Sequence, residues 1–324
     1  MRIAVTGSIA TDHLMSFSGR IAEQLIPDQL EQVSLSFLVD ELDVRRGGVA
    51  GNITFGLGQL GVSSLLVGAV GEDFAEYKAW LDRHGVDTSA VHTSATKHTA
   101  RFMCTTDQDQ NQVASFYPGA MSEARDIELK PIADRAGGLD IVLVSANDPE
   151  AMVRHTEECR NRGYSFVADP GQQLARMGGD EVRQLVEGAE YLFTNEYEHS
   201  LLLQGTGWSH AEVLDRVGMW VTSLGAKGLR VESKRFETFE IEPPKPKQIG
   251  DPTGVGDALR AGFVAGLASE LGLERSLQVG CTLAAISLET DGPQEYDVDR
   301  GSFVSRFAEA YGDKAAGEVD AKLR

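Results

Sequence analysis

The stretch Gly250-Asp251-Pro252-Thr253-Gly254-Val255-Gly256-Asp257-Ala258-Leu259-Arg260-Ala261-Gly262-Phe263 reads as a loop feeding directly into a helix. Pro252, Gly254 and Gly256 make the loop, and the small and apolar residues from Ala258 to Leu267 make a tightly packed helix. A glycine-rich turn at a helix start points several backbone N–H groups at one place, and the helix dipole adds partial positive charge there. Glycine lets a phosphate approach such a backbone closely. Asp257 stands at the helix entrance, beside this anion site. A carboxylate there opposes a bound phosphate unless it accepts the proton of a hydroxyl that attacks it. The competing reading is an N-capping aspartate after an ordinary glycine turn.

Before this stretch the chain alternates strands and helices. Ile3 to Val5 is a strand. Arg46 to Asn52 breaks the pattern, and a helix with Phe55, Leu57 and Leu60 ends at Gly61. Leu65 to Gly71 is a buried strand, and Asp73 opens a helix that runs through Leu81 to Gly85. Further strand ends stand at Ile141–Ser145, Phe166–Pro170, Tyr191–Asn195 and Met219–Gly225, separated by helices at Glu150–Arg162, Gly179–Glu187 and Glu198–Leu203. That βαβ rhythm predicts a parallel sheet. Two patches do not fit it. Residues 13–18 and 33–46 alternate in part (Val33, Leu35, Phe37, Val39), with a short helix or turn from Ile21 to Leu30 between them. Ala100–Thr105 and Gln112–Phe116 form a hairpin around Asp107-Gln108-Asp109-Gln110.

These patches predict one small β subdomain, residues 11–46 and 99–118, inserted into an α/β core of residues 1–10, 47–98 and 119–324. A lid that excludes water is its natural role. Residues 229–248 read as a small meander, Leu277 to Thr290 as a helix and Phe303 to Tyr311 as an amphipathic segment. Gly312 to Arg324 is expected to fray.

Composition narrows the function. The 324 residues suffice for a sizeable core, and 42% hydrophobic with 24% charged residues fits a globular protein. A formal net charge of −19 argues against nucleic acid and anionic membrane as partners. The apolar runs fall short of membrane-spanning length, and Met1 to Gly7 reads as a strand, not a signal peptide. Three widely spaced cysteines, Cys104, Cys159 and Cys281, fit a reducing cytoplasm better than disulfides or zinc. No GxxxxGK[ST] motif is present, so a P-loop is excluded.

In an open parallel sheet, ligands sit beyond the carboxyl ends of the strands. There the sequence places Ser8, Asp12, Asn147, Asp148, Asp169, Gln172, Asn195, Thr222, Gly225 and the loop Gly254 to Asp257. Their agreement with the central loop favours the phosphate reading over a plain N-cap.

These residues resemble the ribokinase-like (PfkB) family of sugar and nucleoside kinases. One family signature is Gly47-Gly48-Val49-Ala50-Gly51-Asn52-Ile53-Thr54 with Gly61 and Gly71 at the family spacing; the other is Asp251 to Phe263. Between them Asn195-Glu196-Tyr197-Glu198 resembles the family's N-x-x-E motif. Val255 departs from the pattern, standing where the family has a small Ala or Gly. The resemblance implies an α/β, three-layer αβα core with a mostly parallel sheet and a small β-sheet lid. Within the family, Thr6 to Asp12, Ser115 to Met121, Ala146 to Ala151 and Asp169 to Arg176 look like the bacterial, mycobacterial-type adenosine kinases.

The resemblance implies an ATP-dependent kinase for the 5′-hydroxyl of adenosine. Asp257 would be the base, and the amides of Gly254, Val255 and Gly256 would hold the charge of the transferred phosphate. Asp12, Gly48 and Asn52, with Ser8 nearby, would bind the ribose hydroxyls; loop capping is the alternative for Ser8. Phe102 and Phe116 would flank the purine, or form the lid's own small core. Gln172 and Gln173 would meet the purine edge, or simply begin a helix. Asn195, Thr222, Ser223, Gly225, Gly228 and Gly256 would line the ATP. Glu198 would serve Mg²⁺ through water, or be a solvated helix face. Arg101, Arg176 and Lys227 are candidate phosphate cations, and a monovalent cation such as K⁺ stays an open option. A ribokinase- or fructokinase-like sugar kinase and a catalytically silent nucleoside-binding relative are the rivals. Free lid edges suggest a homodimer.

Overall fold

The computed structural model describes residues 1–24 and 34–323. The chain opens with β1 (Ile3–Thr6), β2 (Ala10–Phe17), α1 (Ile21–Gln24) and β3 (Glu41–Gly47). There follow α2 (Val49–Gln59), β4 (Ser64–Val67), β5 (Ala69–Val70), α3 (Ala75–Arg83), β6 (Val86–Asp87) and β7 (His92–Thr93). A hairpin of β8 (Ala100–Asp107) and β9 (Gln112–Tyr117) comes next, then α4 (Leu129–Ala136), β10 (Ile141–Ser145), α5 (Pro149–Arg162), β11 (Ser165–Asp169) and α6 (Gly179–Val186). The chain continues through β12 (Tyr191–Asn195), α7 (Glu196–Thr206), α8 (His210–Leu214), β13 (Met219–Ser223), β14 (Leu229–Ser233) and β15 (Phe236–Ile241). It closes with α9 (Val255–Ala268), α10 (Leu273–Ser287), α11 (Arg300–Tyr311) and α12 (Asp313–Lys322).

The main sheet has nine strands in the order β15-β14-β13-β12-β11-β10-β1-β4-β6. From β13 to β6 every pairing is parallel, and β14 and β15 add an antiparallel edge. Strands covered on both faces read as continuous apolar runs, as Ile141-Val142-Leu143-Val144 does. Alternate residues enter two cores. Val5, Leu143, Val167, Phe193 and Val221 pack on the side of α2, α9 and α10. Ala4, Val142, Ala168, Leu192 and Trp220 pack on the other side with Met152, Val182 and Leu202. This is the ribokinase-like three-layer architecture, with helices on both sides of the sheet and a small second sheet. Helices α9 and α10 cross so closely that a Cβ on Gly262 would lie 2.6 Å from the Gly280 Cα.

The second sheet has the order β3-β2-β8-β9. Its register aligns Arg45, Asp12, Phe102 and Phe116 in one row, and hence on one face. The next row, Arg46, Thr11, Arg101 and Tyr117, faces the other way.

Several expectations need correction. Residues 34–40 are not strand despite their alternation; β3 begins only at Glu41, because the strand ends where its pairing with β2 ends. Val33 and the Leu30 end of the expected helix lie outside the described residues. Ala50 to Asn52 do not break the pattern but form the first turn of α2, since Gly48 (φ 86°) supplies the turn on its own. The expected strand Leu65–Gly71 divides into β4 and β5, and β5 pairs with β7 in a separate small sheet. Residues 229–248 include β14 and β15, which extend the main sheet. The tail is not frayed: Ala315, Ala316, Val319 and Leu323 form an apolar stripe that α12 buries in the core. Helix α4, which sequence reading passed over, buries Leu129, Ile132 and Ala133.

Candidate active site

The parallel strands end at one rim, and three helices begin there. Val49 heads α2, Asn195 caps α7 and Gly254 caps α9. Val49, Asn195 and Gly256 line one cavity of about 260 Å³, together with Ala146, Asp169, Gly171, Gln172, Glu198, Ser223, Asp257 and Arg260. Convergent helix N-termini make this an anion site on backbone alone. Gly254 has φ 80°, and a Cβ on it would strike Pro293, so only glycine fits the turn.

Asp257 is the third residue of α9, and Gly254 holds the N-cap position. The N-cap reading of Asp257 is therefore excluded. Its side chain is half-buried and opens onto the cavity. Asn52 Nδ2 donates to Asp257 Oδ2 at 2.8 Å, and Gln294 Nε2 donates to Asn52 Oδ1 at 2.9 Å. Gln294 is in turn held by Trp80 Nε1 at 3.1 Å and by the Tyr77 hydroxyl, which donates to the Gly47 carbonyl at 2.9 Å. The Asp257 carboxylate is thus aimed by a buried network from α2, α3 and the chain after α10. Burial pushes the Asp257 pKa up to about 7; the Asn52 bond and the Arg260 charge oppose this, and Asp169 and Glu198 add to it. A carboxylate poised near 7 suits general-base work at neutral pH.

Across the cavity Asn195 and Glu198 form a reciprocal capping box. Asn195 Oδ1 accepts from Glu198 N at 2.8 Å, and Glu198 Oε2 accepts from Asn195 N at 2.9 Å. The N-x-x-E pattern thus builds the start of α7 and leaves Glu198 Oε1 free. Burial raises the Glu198 pKa, with nearby Asp169 adding to it. Among the described residues no group of three or more His, Cys, Asp or Glu could hold a metal ion. A pair of oxygen donors at a phosphate cavity fits Mg²⁺, which keeps several of its waters and takes few protein ligands.

The residues expected at the ribose and purine divide. Ser8 caps α2, its Oγ accepting from Val49 N at 3.0 Å, which is the loop-capping alternative realised. A Cβ on Gly48 would lie 2.6 Å from Ala10 N, so this site too requires glycine. Asp12 projects from β2 with its pKa raised to about 6 by burial, with Asp251 adding and Arg45 opposing. Phe102 and Phe116 are cross-strand partners beside it, and Phe116 is 40% exposed. Gln172 lines the cavity, whereas Gln173 is buried and donates to the Asn147 carbonyl at 2.7 Å. Gln173 is therefore not presented to the cavity, because the 3₁₀ turn at Gly171–Ala175 points it inward.

Of the residues expected to line the ATP, Ser223 lines the cavity beside its sheet partner Asn195. Thr222 points to the other side of the strand and is 4% exposed, so it does not line this cavity. Gly225 (φ 59°) and Gly228 (φ 92°) bound a 3₁₀ turn that returns the chain into β14. Arg101 is corrected as a phosphate cation: it pairs with Asp73 at 2.5 Å on the opposite face of the small sheet. Sequence reasoning missed Arg260, the one cation that lines the cavity among the described residues. Its place one helical turn after Asp257 was the available signal.

Comparison with known proteins agrees with this fold. The family model for pfkB family carbohydrate kinase matches residues 12–299. A nucleoside kinase of Methanocaldococcus jannaschii is 30% identical over 253 residues, covering 76% of this chain and 80% of its own. The structure of the nucleoside kinase of Burkholderia thailandensis in complex with inosine is 32% identical, with TM-score 0.82 over 96% of this chain and 98% of that one. Its complex with ADP-inosine superposes with TM-score 0.81 at 33% identity, over 96% of each chain.

Proposed function

The chain belongs to the pfkB family of carbohydrate kinases, and from that premise we propose that it phosphorylates the 5′-hydroxyl of adenosine, giving AMP and ADP. As a member it is an ATP-dependent phosphotransferase. The observation that carries the reading is Asp257: a carboxylate with pKa about 7, aimed by Asn52, in the first turn of a helix whose N-terminal amides face the same cavity.

In this reading the 5′-oxygen attacks the terminal phosphorus in line, its proton passes to Asp257, and the P–O bond to ADP breaks. The amides of Gly254, Val255 and Gly256 carry the charge on the transferred group. Mg²⁺, held through water by Glu198 and Asn195, would neutralise the ATP phosphates. Asp12 and the free second hydrogen of Asn52 Nδ2 would hold the ribose diol, and Phe102 and Phe116 would supply a face for the purine.

A second reading, a nucleoside kinase that also takes inosine, is supported by the similarity to the Burkholderia enzyme crystallised with that nucleoside. The test is ADP release with ATP and Mg²⁺ on adenosine, inosine, guanosine, cytidine, ribose and fructose, with Asp257→Ala as control. Turnover on adenosine above the others, lost in the variant, is expected. Turnover on ribose or fructose instead defeats the purine reading. No turnover on any acceptor moves the silent binder to the front. We also propose that two copies associate through the lid, because β3 and β9 are its edge strands among the described residues and Leu42, Val44, Val113 and Tyr117 stand exposed on its outer face.

A further inference from the structure

Arg260 follows Asp257 by one turn of α9, and its side chain is only 10% exposed. Its Nη2 lies 2.5 Å from Asp169 Oδ1 at the end of β11. Its Nη1 lies so near the anion loop that a Cβ on Gly256 would be 2.7 Å from it. The guanidinium carbon stands 5.4 Å from the centre of the Phe193 ring. The group is thus fixed between a carboxylate, an aromatic face and the glycine of the anion loop. Its satisfaction is incomplete: neither Arg260 Nε nor Asp169 Oδ1 has an aligned hydrogen-bond partner among the described residues. Burial works against the Arg260 charge, and Asp169, Asp257 and Glu198 outweigh it, so the group stays protonated.

A buried ion pair with unpaired donors is weak support for stability, since desolvation offsets its attraction. It makes sense where a further anion arrives. Among the described residues, the wall of this cavity carries three carboxylates, Asp169, Glu198 and Asp257, and one cation. A phosphoryl group must come within reach of Asp257, because its attacking hydroxyl does. Backbone amides alone would set it against three acids.

We propose that Arg260 is the fixed cation of the transfer: its guanidinium contacts the non-bridging oxygens of the phosphoryl group in flight, and Asp169 holds it there. The inference rests on the phosphotransfer reading above. Arg260 exchanges no proton; the O–P bond forms at the acceptor oxygen, the P–O bond to ADP breaks, and Asp257 takes the proton. Its charge acts where negative charge spreads over the equatorial oxygens, so it aids the transition state more than the ground state.

The test uses Arg260→Met, Arg260→Lys, Asp169→Asn and the double variant Arg260→Met/Asp169→Asn in the full chain. The readouts are kcat and KM for nucleoside and ATP, and calorimetric affinity for ADP with aluminium fluoride and nucleoside against ADP with nucleoside alone. Arg260→Met should lower kcat about 100-fold or more while the nucleoside KM stays within about threefold. The tight fluoride complex should be lost with ADP affinity kept, Arg260→Lys should recover part of both, and the double variant should stay as slow as Arg260→Met. Unchanged kcat in Arg260→Met, or equal affinity for the fluoride complex, overturns the proposal. So does recovery in the double variant, which would mean that Arg260 only neutralises Asp169. Should Arg260→Met not fold, Arg260→Lys and its fluoride affinity decide. An inactive wild-type protein defeats the phosphotransfer reading itself; an active one with an unaffected Arg260→Met defeats only this role.

Discussion

At the scale of single residues, Asp257 couples activity to stability. Folded Asp257 keeps its proton up to about pH 7, whereas in the unfolded chain it loses it near the ordinary 3.8. Between those values the folded state binds more protons, so Asp257 makes stability fall as pH rises through that window, and the loss is complete above about 7. Asp257→Asn should therefore raise the melting temperature at pH 8 while lowering kcat by about 10²- to 10⁴-fold. A variant that is inactive and no more stable would contradict this. The same shift sets the rate profile: log(kcat/KM) should fall with unit slope below about pH 7, as the base becomes protonated. Asn52→Leu removes the donor that holds the Asp257 pKa down, so its acid limb should move to higher pH. A limb that stays in place would show that Asn52 does not touch the base in solution. Asp257 and Asn52 are each legible in the sequence, one beside a glycine loop and one in the other motif. Their contact is not, because 205 positions separate them and only the packing of α2 on α9 brings them together.

At the scale of elements, α9 is held by its neighbours as firmly as by its own sequence. A Cβ on Gly280 would stand 2.5 Å from the Leu259 carbonyl, so Gly280→Val should cost about 1–3 kcal/mol and lower kcat by shifting the helix that carries Asp257. Wild-type stability and rate in that variant would refute the tight crossing. Helix α12 gives the converse case. Its Gly, Asp and Lys content reads as a loose tail, yet Val319 is 0% exposed and Ala315 2%. Deleting residues 313–324 should lower the melting temperature by roughly 5 °C or more, since it uncovers the core beneath. A frayed tail would leave it unchanged. The misreading has a physical cause: small residues at helical spacing bury little area each, and only the groove beside α10 and α11 gives the stripe its value.

At the scale of the whole molecule, one of the ion pairs between lid and core reaches the loop that enters α9. Arg45 of β3 reaches Asp251, in the loop that enters α9, at 3.0 Å, with both side chains 23% exposed. This ties the sheet carrying Asp12 to the glycine turn ahead of α9. Arg45→Ala should raise the nucleoside KM roughly fivefold, about 1 kcal/mol, with less effect on the KM for ATP. An equal rise in both would mean a general loosening. The outer face of the same lid bears on association: sedimentation at micromolar concentration should show a dimer, and Leu42→Lys with Val44→Lys should shift it to monomer. A monomeric wild type removes that proposal.

The sequence by itself determined the βαβ rhythm, the glycine loop ahead of α9 and the insertion of two strand patches, because these rest on local periodicity and on backbone positions that only glycine can take. It also marked Asp257 as the residue to watch. Only the tertiary structure decided which polar residues meet. It sent Gln173 and Thr222 inward, bound Arg101 to Asp73 on the outer face, made Asn195 and Glu198 a capping box, and set Arg260 on Asp169 beside Asp257. The reason is that a side chain's direction depends on the register and crossing of elements far apart in the chain, and no local pattern carries that information.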